Sequence, residues 1–219
     1  GELVFSTSMS GYQETLTDPS YHRQVVLSTA PHIGNTGWND EDDESQKIWV
    51  AGYIVRDPAP RPSNWRANRS LDDELRNQGV VGISGVDTRA ITRHVREGGA
   101  LRVGISTVET NPDALLERVR AVAPMAGADL TADVTTAEPY VVPAEGERRF
   151  TVAAVDLGIK SMTPAHLAAR GIEVHVLPAT STIDEIRALN PDGVFFSNGP
   201  GDPATADGPV ALLRDALDA

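Results

Sequence analysis

Three short apolar runs in the last third of the sequence, each followed by a helix-like segment, constrain the fold more than any other feature. Thr151–Leu157 (TVAAVDL) is nearly continuous and rich in Val, as expected of a strand buried on both faces. Ile172–Leu177 and Gly193–Ser197 (GVFFS) have the same character. Ser161–Arg170 reads as a short helix, with Met162, Ala165, His166 and Ala169 on one face and Gly171 as its stop. Thr182 stands three residues before Glu185, the spacing of a capping box, and opens a helix that ends near Asn190. Pro209–Ala219 reads as a third helix. Strand followed by helix three times over predicts an α/β fold, the first half of a doubly wound parallel sheet.

The residues before this region are more mixed. Leu3–Ser6, Gln24–Thr29, Ile48–Val55, Val80–Ser84 and Leu101–Ser106 read as strands, and Ser70–Gln78, Asp87–Glu97 and Asn111–Ala123 as helices. Asp87 is placed to cap its helix, Gly98–Gly99 to end it, and Pro112 falls in a first turn. Thr135–Arg149 carries two prolines, a glycine and mixed charges without a period, the composition of a linker. The expected organisation is a mixed α+β domain over 1–135, a linker over 136–149 and a parallel-sheet domain over 150–219.

The charge of −12 argues against a nucleic-acid partner, since phosphate binding needs concentrated Lys and Arg. The chain has no Cys, which removes disulfides, thiolate metal sites and a Cys nucleophile from these residues. His22, His32, His94, His166 and His175 show no paired ligand spacing, so no metal site is expected. No apolar run approaches the length of a membrane span, and the absence of a basic-then-apolar leader favours the cytoplasm. The opening GELVF, already strand-like and without Met, suggests an excised piece.

The strongest chemical signal is Ser197–Pro203 (SNGPGDP) at the end of the third apolar run. Two glycines flanking a proline allow a sharp turn and close approach of the backbone to a ligand. Amides in such a bend can face an anion or a developing oxyanion. Ligands of open α/β sheets bind outside the carboxyl ends of the strands, where this bend falls. It lacks the Lys-Ser/Thr ending of a P-loop, and a rigid turn with no ligand remains an alternative.

Strand, SNGPGDP and helix together resemble the oxyanion loop of the class I (triad) glutamine amidotransferases. The resemblance implies that Gly199 and Gly201 bind glutamine and stabilise the tetrahedral intermediate, with Asp202 and Pro203 holding the loop. Three further segments, Phe5–Tyr21 (FSTSMSGYQETLTDPSY), Pro31–Gly37 (PHIGNTG) and Gly85–Gly99 (GVDTRAITRHVREGG), are similar in order to the small subunit of carbamoyl phosphate synthetase. That resemblance adds Ser20 of the TDPS segment to the glutamine pocket. Alone, TDPS would be an ordinary turn.

The same resemblance implies a Cys nucleophile in a sharp turn after the next strand, activated by a His that a Glu orients. Those residues would lie outside the sequence, the Cys roughly ten residues beyond Ala219. The chain is therefore expected to hold no catalytic residue and to be inactive alone. Further implications are a large synthetase subunit as partner, which uses ATP and Mg, and no cofactor in this chain. The alternatives are another class I amidotransferase component, such as that of an anthranilate or GMP synthetase, or a non-catalytic docking relative. Arg89, Arg93 and Arg96 read as a solvated helix face, with an interface patch as the second reading. Gly34, Asn35 and Gly37 read as turn residues, Trp38, Trp49 and Trp65 as core or contact residues, and His32 and His166 as structural.

Overall fold

A computed structural model describes residues 1–218. Contacts divide the chain after Met125 into two units. The first begins with β1 (Glu2–Ser6), α1 (Tyr12–Thr17), β2 (Gln24–Ser28), β3 (His32–Ile33), β4 (Gly52–Ile54) and β5 (Asp57–Pro58). It continues through α2 (Leu71–Asn77), β6 (Gly82–Ile83), α3 (Thr88–Gly98), β7 (Leu101–Arg102) and α4 (Pro112–Ala121). Five of the strands form one sheet in the order β6-β4-β2-β1-β7, parallel except for β7.

The period-2 rule of strands explains how this sheet holds two cores. Val26, Tyr53 and Val55 point to one face, where they pack with Tyr12 and Leu16 of α1, Trp38, and Leu71 and Leu75 of α2. Val25, Leu27 and Ile54 point to the other, against Ile91 and Val95 of α3. Asp87 caps α3 by accepting from the Ala90 amide, and Gly99 at φ 82° ends it. The outer face of α3 leaves Arg89, Arg93 and Arg96 exposed, in keeping with a solvated stripe.

The acidic stretch from Asn39 to Glu44 is folded onto this unit by basic and amide side chains. Arg66 pairs with Glu41 and Asp42, and Arg69 with Asp40 and Glu74. The buried Gln13 amide donates to the Asn39 carbonyl at 2.6 Å and to Asp43 at 2.8 Å, and accepts from the Asn39 amide. Gly34 and Gly37 take positive φ in the turn that Tyr12 holds through its bond to the Gly37 carbonyl.

The strands of this unit are shorter than the apolar runs suggest. Of Ile48–Val55, only Gly52–Ile54 is assigned as strand. The amide of Ile48 instead donates to the Gln78 side chain, and that of Trp49 to the Leu16 carbonyl. Val80–Ser84 narrows to β6 and Leu101–Ser106 to β7. Helix α1 was not foreseen, because two Thr in six residues give little intrinsic preference. Burial of Tyr12 and Leu16 supplies what propensity does not.

The second unit, from Ala126 onward, holds α5 (Thr131–Val134), β8 (Tyr140–Val142), β9 (Phe150–Asp156), α6 (Met162–Ala168), β10 (Ile172–Pro178), α7 (Ile183–Ala188), β11 (Gly193–Phe196) and α8 (Asp207–Leu217). Its sheet runs β11-β9-β10-β8, parallel except for β8. Ala153 and Val155 face α7 and α8 through Ile186 and Leu212. Ala154, Val174 and Val176 face Leu167 of α6. Helices on both faces of a mostly parallel sheet make this the doubly wound arrangement expected. The capping box of α7 is complete: Thr182 accepts from the Glu185 amide, and Glu185 accepts from the Thr182 amide.

Two local expectations need correction. The stretch 136–149 contains β8, because Tyr140–Val142 forms a ladder with Val174–Val176. The buried face of α6 carries Pro164 and Ala168, whereas Met162, His166 and Ala169 are exposed. A short helix packs through the face its neighbours reach, and periodicity alone did not identify that face.

The strand order also fixes where a ligand can enter. β10 lies on one side of β9 and β11 on the other, so the winding reverses between β9 and β11. In open α/β sheets the crevice at the carboxyl ends of such strands is the binding position. The segments leaving those two ends are Leu157–Gly158 and Ser197–Pro203.

Candidate glutamine-site elements

Ser197 anchors the bend after β11. It is buried, its amide donates to the Val155 carbonyl at 3.1 Å, and its hydroxyl accepts from the Leu157 amide at 2.9 Å. The two strand ends are thereby tied across the switch point. Gly199 is exposed, yet a Cβ there would run into the carbonyl group of Leu157. Gly201 has φ +88°, and its Cβ would come within 2.5 Å of the Ala128 carbonyl oxygen. Both positions therefore require glycine, one by close approach and the other by conformation as well. Neither the Gly199 nor the Gly201 N–H has a hydrogen-bond partner among the described residues. Such amides can take up an oxyanion or carboxylate.

Asp202 closes the bend. Its carboxylate accepts from the amides of Ala204 at 2.9 Å and Gly127 at 2.8 Å. These amides, Gly127's foremost, hold the Asp202 carboxyl below the usual carboxylate range. Its own amide donates to the Ala128 carbonyl at 2.9 Å, and the backbones of Asp129 and Gly201 lie opposite each other as an isolated antiparallel pair.

Asp156, at the end of β9, escaped sequence reasoning. It is buried at 4% exposure. One carboxylate oxygen accepts from the Gly158 and Ile159 amides at 2.8 and 2.7 Å, and the other from the Thr136 amide at 2.7 Å. Thr135 adds a bond from its hydroxyl to the Asp156 carbonyl at 2.7 Å, and accepts from the Ala179 amide. An acidic residue closing an apolar run was the only signal, and it reads equally well as a strand end.

Ser20, the third expected site residue, lies in the first unit, in a 3-10 turn over Pro19–Tyr21. Asp18 caps this turn by accepting from the Ser20 amide at 2.8 Å. The turn runs on into His22, which meets the Trp49 ring edge-on at 5.1 Å. Lys47 covers the same ring at 4.0 Å, and the Trp49 indole N–H donates to Ser45. Pro19 is buried and Ser20 partly exposed.

The remaining residues singled out from sequence have simpler places. Trp38 is fully buried in the core, Trp49 braces the Ser20 turn, and Trp65 is 92% exposed. His32 pairs with Asp57 at 2.9 Å, and His166 sits exposed in the last turn of α6.

Residues 1–105 match the family of the carbamoyl-phosphate synthase small chain, CPSase domain, and residues 153–219 match the class-I glutamine amidotransferase family. The chain is 70% identical over 219 residues to the carbamoyl phosphate synthase small chain of Streptomyces avermitilis, a match covering 99% of this chain and 58% of that protein. It is 62% identical over 226 residues to the Mycobacterium tuberculosis small chain, covering 100% of this chain and 60% of the relative. The small chain of Corynebacterium diphtheriae is 57% identical over 222 residues, with 99% and 59% covered. The chain thus spans about three-fifths of the length of these relatives. A small-chain domain followed by the opening of an amidotransferase domain, in one continuous match, shows that the chain belongs to the carbamoyl phosphate synthase small-chain family.

Proposed function

We propose that this chain supplies part of the glutamine-binding wall of a carbamoyl phosphate synthase small subunit. The observation that carries the reading is the exposed bend at the β9/β11 switch point, whose Gly199 and Gly201 amides have no partner among the described residues. In this reading the two amides receive the charge that develops on the glutamine carboxamide oxygen, and Ser20 is assigned to glutamine binding on the family resemblance alone. Preorganised donors of this kind typically contribute 10²–10³ in rate for each donor.

The attacking thiolate and its His and Glu partners are assigned to residues outside the sequence, which contains no Cys. The whole small subunit hydrolyses glutamine to glutamate and ammonia. A large subunit receives the ammonia and, with ATP, Mg and bicarbonate, makes carbamoyl phosphate for arginine and pyrimidine synthesis. Internal transfer keeps the ammonia unprotonated, because ammonium has no lone pair with which to attack. No cofactor is assigned to this chain, and the cytoplasm is the assigned compartment.

A glutaminase assay on the full gene product, with and without the large subunit, tests the proposal. Glutamine-dependent ammonia release by the full protein is expected, and none by residues 1–219 alone. A full protein with Ser or Ala at the nucleophile position and no hydrolysis would make the subunit a docking scaffold instead. Ammonia release by residues 1–219 alone would overturn the assignment of the reactive centre.

A further inference from the structure

We propose that residues 126–136 form a positioning strap that sets the direction of the Gly199 and Gly201 amides; the inference rests on the glutamine-hydrolysis reading above. The strap is anchored at both ends by carboxylates, Asp202 of the bend after β11 and Asp156 at the end of β9. At its start, the Gly127 amide donates to Asp202 at 2.8 Å, and the Ala128 carbonyl accepts from the Asp202 amide at 2.9 Å. The second bond fixes the plane of the 201–202 peptide, next to the Gly201 amide. Leu130, at 1% exposure, backs Gly201: its amide N and Cγ lie 3.3 and 3.4 Å from where a Cβ would stand.

At the other end, the Thr136 amide donates to Asp156 at 2.7 Å, and the Thr135 hydroxyl links the Asp156 carbonyl to the Ala179 amide. The second oxygen of Asp156 holds the Gly158 and Ile159 amides. That turn is the one whose Leu157 carbonyl lies against Gly199. Val134 closes on Gly158 from the strap side, 3.2 Å from its missing Cβ. One segment therefore meets the bend behind Gly201 and, through Asp156, the wall behind Gly199. An oxyanion donor works only if it is fixed before the charge develops, and the strap supplies that fixation without touching substrate.

The test uses the full-length small subunit assembled with its large subunit, carrying Asp202→Asn, Thr135→Val or Thr135→Ser. Asp202→Asn can keep the Ala204 bond and loses the acceptor for Gly127. Thr135→Val removes both bonds of the hydroxyl, and Thr135→Ser retains them. With Asp202→Asn and Thr135→Val, kcat for glutamine hydrolysis is expected to fall roughly ten- to hundredfold, with KM changed less than threefold. Thr135→Ser is expected to restore the rate. In single-turnover experiments the rate constant should fall while the amplitude, which counts folded sites, stays at the wild-type value. Loss of amplitude at an unchanged rate constant would overturn the proposal in favour of a purely structural role. So would wild-type kcat in both disruptive variants. A wild-type complex that makes carbamoyl phosphate from ammonia but not from glutamine would refute the underlying reading itself, and the strap with it.

Discussion

The Leu157 carbonyl lies so close to Gly199 that no side chain can be added there, although Gly199 is exposed to solvent on its other side. A position open to a ligand yet closed to a Cβ presents bare backbone outward. The neighbouring Gly201 is constrained from behind by Ala128 and by its positive φ.

Replacing either glycine by alanine follows directly. Gly199→Ala must displace the β9 end, and Gly201→Ala must adopt φ +88° against the Ala128 carbonyl. Each is expected to destabilise the chain by about 1–3 kcal/mol. In the full-length subunit, glutamine hydrolysis should fall at least a hundredfold. Urea unfolding of residues 1–219 and the glutaminase rate of the complex check the two parts.

Asp156 is expected to be costly to remove. Asp156→Ala leaves the Thr136, Gly158 and Ile159 amides without their acceptor. A buried donor left unsatisfied costs about 1–3 kcal/mol, so a total loss of about 3 kcal/mol or more is expected. Asp156→Asn should fall between the wild type and Asp156→Ala. The urea midpoint at neutral pH reads the difference.

Ser20→Ala tests binding rather than stability. The Asp18 cap bonds the Ser20 amide, which the substitution keeps, so the turn should survive it. In the full-length complex, KM for glutamine is expected to rise roughly three- to tenfold with kcat little changed, the loss of one hydrogen bond. An unchanged KM would remove Ser20 from the pocket.

Asp202 gives a pH signature. Its folded pKa is lowered by the Gly127 and Ala204 amides, so its contribution to stability is full above the unfolded value of about 3.9. That contribution is lost as pH falls through the folded value. Asp202→Asn should therefore flatten part of the acid side of the stability curve, measured by unfolding between pH 2 and 6. Superimposable acid limbs for wild type and variant would show that Asp202 is not held this way.

Thr182→Ala is the contrasting case. It breaks the capping box of α7 and should lower stability by about 1 kcal/mol. The bonds of Thr182 run to Glu185 and not to the bend, so the substitution should leave glutamine hydrolysis by the full complex unchanged.

Some of this architecture was written locally in the sequence. The apolar runs at 151–157, 172–177 and 193–197 specify buried strands, and Thr182 with Glu185 specifies a helix start, because both signals act within a few residues. The SNGPGDP bend was legible for the same reason: two glycines flanking a proline permit a sharp local turn. The rest depended on partners distant in the chain. Asp202 meets Gly127 across a separation of 75 residues, and Asp156 meets Thr136 across 20. An aspartate at a strand end looks the same whether it accepts three amides or faces water. Only the packed sheet, by bringing the ends of β9 and β11 together under residues 126–136, decided which it is.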